Sequence, residues 1–170
     1  AYVEFLSSPV DLLPLIRRGD KPNLLLMRTF SKIFGLAGLR IGYGIGDPEF
    51  IGALEKIRQP FNANAVAQAG ALAALEDNDH LAATRSNNEA GLNYLDNELR
   101  RMGINHVPSS ANFVLLEVGD GGKVFADLQA KGVITRPMAG YQLPKWVRVS
   151  VGTPEENTRF VETLKEVLGR

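Results

Sequence analysis

A lysine and an arginine in the first quarter of the chain have the types and spacing that could carry chemistry. Lys32 follows an apolar run, Leu24 to Met27, and Arg40 opens an alternating segment soon after it. If the two segments lie in one sheet and turn back on each other, both cations reach the same rim. A lysine amine can bond to an aldehyde, and a guanidinium fork holds a phosphate. The pair, with the Ser31 hydroxyl as a further phosphate donor, suggests the hypothesis of a pyridoxal phosphate site.

Each of these residues also has an ordinary structural interpretation. Most lysines are solvated, and only a special minority is nucleophilic. Arg40 could be a solvent-facing cation at a sheet end, and Ser31 a turn residue. The spacing alone leaves both interpretations open.

Two arginines in the last quarter of the chain are candidate anion contacts. Along 146–151 the valines share one face of a strand, and Trp146, Arg148 and Ser150 share the other. If the valines face the core, Arg148 suits recognition of a carboxylate, although a solvated outer face fits the pattern equally well. Arg136, at the end of an apolar run, is a second and weaker candidate.

The first half predicts a strand–helix–strand unit that would position Lys32. Residues 2–5 and 23–30 read as strands, and 11–18 has helical apolar spacing. This order predicts a parallel pair with a right-handed crossover. Ligands of such sheets bind beyond the carboxyl ends of the strands, which is where Ser31 and Lys32 fall.

A glycine-rich strand and two helices follow. Residues 39–45 alternate, with three glycines behind Arg40 on one face. Such a face allows close approach by a flat ligand or by another backbone, and tight packing is as good an explanation. Asp47-Pro48 is a helix start, and an alanine-rich helix is expected over 65–75.

A shift in composition near 76–84 predicts two domains, 1–80 and 81–170. The fold class is α/β for the first and α+β, with a mostly antiparallel sheet, for the second. Thr153-Pro154-Glu155-Glu156 is a capping box with proline at the first helical position. The other predicted elements of this half are a long helix that ends at Gly103, a helix over 124–130, and strands over 112–118, 133–135 and 146–151.

Composition excludes several classes of function. The 170 residues are 45% hydrophobic and 22% charged, and 19 basic residues balance 19 acidic ones, so no net charge attracts nucleic acid or a membrane. There is no cysteine, and His80 and His106 have no metal-ligand spacing, so no metal is expected and both are expected to be surface or loop residues. No apolar run approaches the roughly 18 residues of a membrane span, and no signal segment is visible. We therefore expect a cytoplasmic protein.

Several motifs together have a family resemblance that covers the whole chain. They are Ala1–Phe5, Arg28–Tyr43 with its Ser-Lys and Gly-Leu-Ala-Gly-Leu-Arg elements, Pro60–Asn64, Ser110–Phe113, Arg136-Pro137 and Val147–Asn157. They resemble the class II, fold-type I pyridoxal phosphate aminotransferases, and within them the histidinol-phosphate aminotransferases. The resemblance implies that the chain is the end of the large domain followed by the small domain.

The resemblance also implies a role for each candidate residue. Lys32 would bond to the cofactor and move the substrate proton, Ser31 and Arg40 would hold the cofactor phosphate, and Tyr2 would bind the phenolic oxygen of its ring. The substrate ligands would be Arg148 for a carboxylate and Arg136 for a phosphate.

The implied reaction exchanges an amino group between histidinol phosphate and 2-oxoglutarate in a homodimer. An aromatic amino-acid aminotransferase, a threonine-phosphate decarboxylase and a non-catalytic domain of the same fold stay open as alternatives. One departure from the family concerns an aspartate that pairs with the pyridine nitrogen, three residues before the tyrosine that matches Tyr2; this position lies before Ala1. The chain also opens in an apparent strand. We therefore expect it to be a portion of a longer polypeptide and to be inactive alone.

Overall fold

The computed structural model describes residues 1–169. They form two compact units, one from Ala1 to Ala82 and one from Ala83 onward. Among the described residues, no helix is both long and apolar enough to cross a membrane.

The first unit contains a two-stranded antiparallel sheet and surrounding helices. Strand β1 pairs with β2 from Leu26 opposite Ile45 to Thr29 opposite Gly42. The two strands therefore turn back on each other, as the hypothesis for Lys32 and Arg40 requires. The elements are α1 (Leu13–Arg17), β1 (Leu26–Thr29), β2 (Gly42–Ile45), α2 (Pro48–Glu55), α3 (Ala65–Glu76) and the start of α4 (Asn78–Arg101).

The predicted strand over 2–5 and its parallel crossover are wrong. Val3–Phe5 is a 3-10 helix, and within the described residues β1 pairs only with β2. Backbone amides need partners, and here the Phe5 amide donates to the Tyr2 carbonyl at 3.0 Å. With its amides satisfied locally and no strand beside it, this segment does not extend.

The glycine-rich strand begins at Gly42 rather than at residue 39. Ala37–Leu39 is a 3-10 helix, and Arg40 at its end has a left-handed backbone with φ +53°, which interrupts an extended chain. A Cβ on Gly42 would lie 2.5 Å from the Arg28 carbonyl oxygen on β1. Close packing of the two strands therefore explains this glycine.

Side-chain caps begin α2 and α3 where the sequence predicts that these helices start. The Asp47 carboxylate accepts from the Glu49 amide at 2.9 Å, and α2 starts at Pro48. The Asn64 side chain accepts from the Ala67 amide at 2.8 Å at the start of α3. These bonds satisfy amides that a helix leaves unpaired.

The second unit is a four-stranded sheet with helices packed on it. All its pairings are antiparallel, in the order β3-β4-β6-β5, which confirms the predicted kind of sheet. The strand predicted over 133–135 is displaced, because the ladder to β6 forms at Arg136 and Pro137 instead. The elements are β3 (His106–Val107), β4 (Phe113–Glu117), α5 (Gly121–Ala130), β5 (Arg136–Pro137), β6 (Trp146–Ser150) and α6 (Pro154–Leu168), with α4 running to Arg101.

One face of this sheet and three helices enclose the core. Val147 and Val149 of β6 are buried, so the valine face of that strand points inward, and Arg148 leaves from the opposite face. Helix α6 opens with the predicted capping box, in which Thr153 and Glu156 bond reciprocally to each other's amides. The core side chains are Leu95, Leu99, Ile104, Val114, Leu116, Val124, Leu128, Val147, Val149, Phe160, Val161 and Leu164.

Candidate active site

Lys32 lies in a tight turn within the connection between β1 and β2. The Gly35 amide donates to the Lys32 carbonyl and the Leu36 amide to the Phe30 carbonyl, both at 2.9 Å. Gly35 has φ +71°, a conformation that favours glycine. Ile33 is 1% exposed, whereas Lys32 is exposed. The turn is thus anchored by a buried neighbour while its lysine faces outward.

The structure brings Tyr2 and Lys32 together. The Lys32 Nζ lies 5.3 Å from the centroid of the Tyr2 ring, within the range of a cation–π contact. The short helix that follows Tyr2 is held near β1, because the Glu4 carboxylate lies 3.9 Å from the Arg28 Nε. In such an arrangement the phenol can hydrogen-bond to a ring oxygen of an aromatic aldehyde, and the amine can bond to the carbonyl carbon of the same aldehyde.

Ser31 and Arg40 lie in the same connection, so the topology places them at the same end of the two-stranded sheet as Lys32. The Ser31 amide donates to the Thr29 Oγ1 at 3.1 Å, and Ser31 is half-buried. The Arg40 guanidinium donates to the Ala37 carbonyl at 2.7 Å. A left-handed backbone at a residue other than glycine costs energy and is concentrated at functional sites. A hydroxyl and a guanidinium can together bind a phosphate.

Arg136 and Arg148 form a second cationic group, in the second unit. They are directly opposite each other on β5 and β6, so their side chains leave the same face of the sheet. The Arg148 guanidinium carbon lies 4.9 Å from the centroid of the Phe113 ring. Its Nε is buried and has no hydrogen-bond partner among the described residues. Because like charges opposite each other are unfavourable, this arrangement suits an anion bound between them.

Two histidines that sequence reasoning set aside make specific contacts. His80 Nε2 lies 2.9 Å from the Ile33 carbonyl oxygen, next to Lys32. His106 was expected at the surface or in a loop, and this is wrong, since its side chain is 8% exposed. Its ring nitrogens contact the Asp96 carboxylate at 2.8 Å and the Ile104 carbonyl at 3.0 Å. No local pattern could reveal His80, because its partner is 47 positions away.

The carboxylate beside His106 is strongly stabilised in its charged form. Hydrogen bonds from Arg100 and then from His106 lower the pKa of Asp96 from 3.8 to about 2. The Arg100 Nε lies 2.7 Å from Asp96. This network joins the last turns of α4 to β3 and lies in the second unit, and none of the predicted site residues takes part in it.

Comparison with known proteins identifies the family. Residues 1–164 match the model of the family described as aminotransferase class I and II, and the chain belongs to this family. The chain is 49% identical over 168 residues to a histidinol-phosphate aminotransferase of Akkermansia muciniphila, covering 99% of this chain and 46% of that protein. It is 47% identical over 169 residues to histidinol-phosphate aminotransferase 1 of Nitrosococcus oceani, again covering 99% and 46%.

Solved structures show the same fold. The histidinol-phosphate aminotransferase of Clostridium acetobutylicum superimposes with a TM-score of 0.89 at 26% identity, over 99% of this chain and 52% of that one. The enzyme of that name from Sinorhizobium meliloti, solved in complex with pyridoxal-5'-phosphate, has a TM-score of 0.81 at 31% identity, over 88% and 42%. The predicted fold class, fold-type I, is thereby confirmed. The chain spans about half the length of the relatives it matches.

Proposed function

We propose that this chain is part of a pyridoxal-phosphate-dependent aminotransferase that acts on histidinol phosphate and 2-oxoglutarate. The observation that carries the proposal is the Tyr2 ring beside the Lys32 amine, at the end of the sheet where Ser31 and Arg40 also lie. Family membership and the names of the relatives that are 49% and 47% identical support the same reaction.

The residues present fit the cofactor. Within the described part of the chain no carboxylate forms an ion pair with Lys32, so its amine is available. We assign to Lys32 the covalent hold on the cofactor and the movement of a proton at the substrate Cα. Ser31 and Arg40 would hold the phosphate, and Tyr2 the phenolic oxygen. Bound pyridoxal phosphate supplies an electron sink for the substrate, and the protein supplies binding, orientation and the proton.

Arg136 and Arg148 are the proposed substrate ligands. A phosphate monoester carries close to two negative charges at neutral pH, which matches two guanidinium groups from opposite residues. The buried, unpartnered Nε of Arg148 would gain an acceptor when an anion binds. The same fork would then bind a carboxylate of 2-oxoglutarate in the second half of the reaction.

Cofactor binding separates an enzyme from a non-catalytic domain of this fold. We expect added pyridoxal phosphate to give the visible absorbance of a lysine-bound cofactor, and Lys32→Ala to abolish it. Lys56→Ala, which removes a lysine from the end of α2, should leave that absorbance intact. Equal absorbance in the wild-type protein and in Lys32→Ala would exclude Lys32 as the cofactor lysine.

The amino donor is then tested in the intact protein by comparing histidinol phosphate with phenylalanine, each with 2-oxoglutarate. We expect a much larger kcat/KM for histidinol phosphate. A preference for phenylalanine would support an aromatic amino-acid aminotransferase instead, and release of carbon dioxide from threonine phosphate would support a decarboxylase.

We also propose that the complete site needs groups beyond these 170 residues. The chain covers 46% of the length of the Akkermansia muciniphila relative, so more than half of that protein has no counterpart in these 170 residues. We expect the isolated chain to give no turnover, and measurable transamination by it would contradict this. The active form is proposed to be a homodimer, which sedimentation of the active protein would test.

A further inference from the structure

His80, near the C-terminal end of the first unit, contacts the turn that carries Lys32. Its Nε2 lies 2.9 Å from the Ile33 carbonyl oxygen, and since a carbonyl only accepts, Nε2 must carry the hydrogen. The ring also lies against the apex of the turn, because a Cβ built on Gly35 would be 3.9 Å from its Cε1 and Nε2. The imidazole therefore makes one hydrogen bond to the turn and lies close to Gly35.

The Ile33 carbonyl differs from its neighbours in the kind of donor from which it accepts a hydrogen bond. The Lys32 and Phe30 carbonyls accept amides of the turn itself, from Gly35 and Leu36. The Ile33 carbonyl instead accepts from a side chain near the start of α4. Ile33 is 1% exposed, and a buried carbonyl without a partner is costly. His80 thus connects the turn to a helix at the residue that follows Lys32.

The backbone of His80 is held in place within its own helix. The His80 amide donates to the Asp77 carboxylate at 2.9 Å, which fixes the backbone at the first turn of α4. The other side of the connection is held by α3, where Gly70 packs so closely on Leu39 that a Cβ would lie 2.8 Å from Leu39 Cδ1. Two helices therefore restrain the segment between Lys32 and Arg40.

We propose that His80 is a positioning residue that holds the Lys32 turn in one conformation through the Ile33 carbonyl. This inference rests on the proposed role of Lys32 as the cofactor lysine. A covalent partner must present its amine at a defined place, and supporting hydrogen bonds supply that order. His80 does not touch the reacting atoms, so its removal loosens the turn without removing the amine.

Hydrogen exchange tests the proposal without any cofactor. The Gly35 and Leu36 amides close the turn, and a net hydrogen bond of ordinary strength corresponds to roughly a five- to tenfold change in an opening equilibrium. We expect His80→Leu to speed exchange at these two amides by about that factor. His80→Gln, whose amide can still donate, should restore most of the protection. Gln68→Ala, which removes a side-chain bond to the Ala63 carbonyl elsewhere in the unit, should leave it unchanged.

Cofactor binding gives the second readout. We expect His80→Leu to slow the appearance of the lysine-bound absorbance of added pyridoxal phosphate and to weaken its binding by about five- to tenfold, with His80→Gln close to wild type. Unchanged exchange at Gly35 and Leu36 in a folded His80→Leu protein would overturn the positioning role. Loss of protection throughout the first unit would also overturn it, because His80 would then support folding in general. If exchange responds as expected but the wild-type protein shows no Lys32-dependent absorbance, the proposed function fails and the contact stands as a support of the turn alone.

Discussion

Arg136 and Arg148 are directly opposite each other on neighbouring antiparallel strands, so two like charges share one face of the sheet. Such a pair is unfavourable by itself, and the Nε of Arg148 lacks a partner within residues 1–169. Both observations are explained if this face binds an anion. We therefore expect the pair to lower the stability of the free protein and to recover that stability when the proposed anion binds.

Inorganic phosphate should accordingly stabilise the second unit through these two residues. A ligand at 100 times its Kd adds about 2.7 kcal/mol to the free energy of unfolding. We expect the Tm to rise with phosphate at constant ionic strength, and Arg148→Gln or Arg136→Gln to remove most of the rise. Without phosphate, Arg136→Gln should be as stable as the wild type or more stable by up to about 1 kcal/mol.

The control for this experiment removes an arginine that is already paired. Arg100 forms an ion pair with Asp96. Arg100→Gln makes the same change in net charge but leaves Arg136 and Arg148 intact, so phosphate should still raise the Tm of this variant. A rise in Tm that survives in both Arg136→Gln and Arg148→Gln would show that phosphate binds elsewhere.

Asp96 should make the stability of the second unit depend on acid pH. Its pKa is about 2 in the folded protein, against 3.8 as its ordinary value, because Arg100 and then His106 bond to its charged form. A lowered folded pKa gives stability that is fully present above the unfolded pKa and is lost as the pH falls through the folded one. The loss should therefore fall between about pH 4 and pH 2.

Denaturant unfolding across this range checks the expectation. We expect Asp96→Asn to be less stable than the wild type at pH 5 and to show a flatter decline towards pH 2. Arg100→Gln should flatten the decline in part, since His106 still bonds to Asp96. The free energy of unfolding should still fall somewhat towards pH 2 in both variants, because Lys165 and Arg101 also lower the pKa of Glu98. Parallel curves for wild type and Asp96→Asn would contradict the assignment.

Gly91 on α4 is required by close packing. A Cβ there would overlap Val151 and lie 2.9 Å from the Asn157 Nδ2, which donates to the Gly152 carbonyl at 3.1 Å. Alanine favours a helix over glycine by roughly 0.5–1 kcal/mol, but overpacking costs typically 1–3 kcal/mol. We expect Gly91→Ala to be destabilising in a thermal melt.

Gly140→Ala is the matched comparison, because no heavy atom lies within 4 Å of the added Cβ. It should be neutral within about 0.5 kcal/mol, as surface substitutions usually are. If Gly91→Ala melts at or above the wild-type temperature, the helix and the segment after β6 can move apart at little cost.

Local chemistry made some elements predictable. Thr153 with Glu156, and Asp47 before Pro48, start helices through side chains within three residues of the amides they cap, so the sequence contains the whole interaction. The valine alternation of β6 likewise shows its inward face. The sequence could place Lys32 and Arg40 at one end of a sheet only on the condition that the strands before and after them pair with each other.

Features that depend on distant partners were not predictable. The strand conformation expected for residues 2–5 required a neighbouring strand, and the left-handed backbone of Arg40 follows from the 3-10 helix before it. The contact of His80 with the Ile33 carbonyl joins residues far apart in sequence. Arg136 and Arg148 were each weak candidates by pattern, and it is their opposite positions on β5 and β6 that argue for a shared anion.

Truncation of Leu116 should cost more stability than Gly91→Ala or Asp96→Asn, because Leu116 lies on a central strand and its side chain is 0% exposed. Strand β4 pairs with β3 on one side and β6 on the other, so its neighbours cannot easily move to fill a cavity. We expect Leu116→Ala to lower the free energy of unfolding by about 2–5 kcal/mol, measured by denaturant titration. Ile134→Ala, at a side chain that is 77% exposed, should change it by less than about 0.5 kcal/mol. Equal effects of the two substitutions would mean that the sheet face carrying Leu116 is not the core of the second unit.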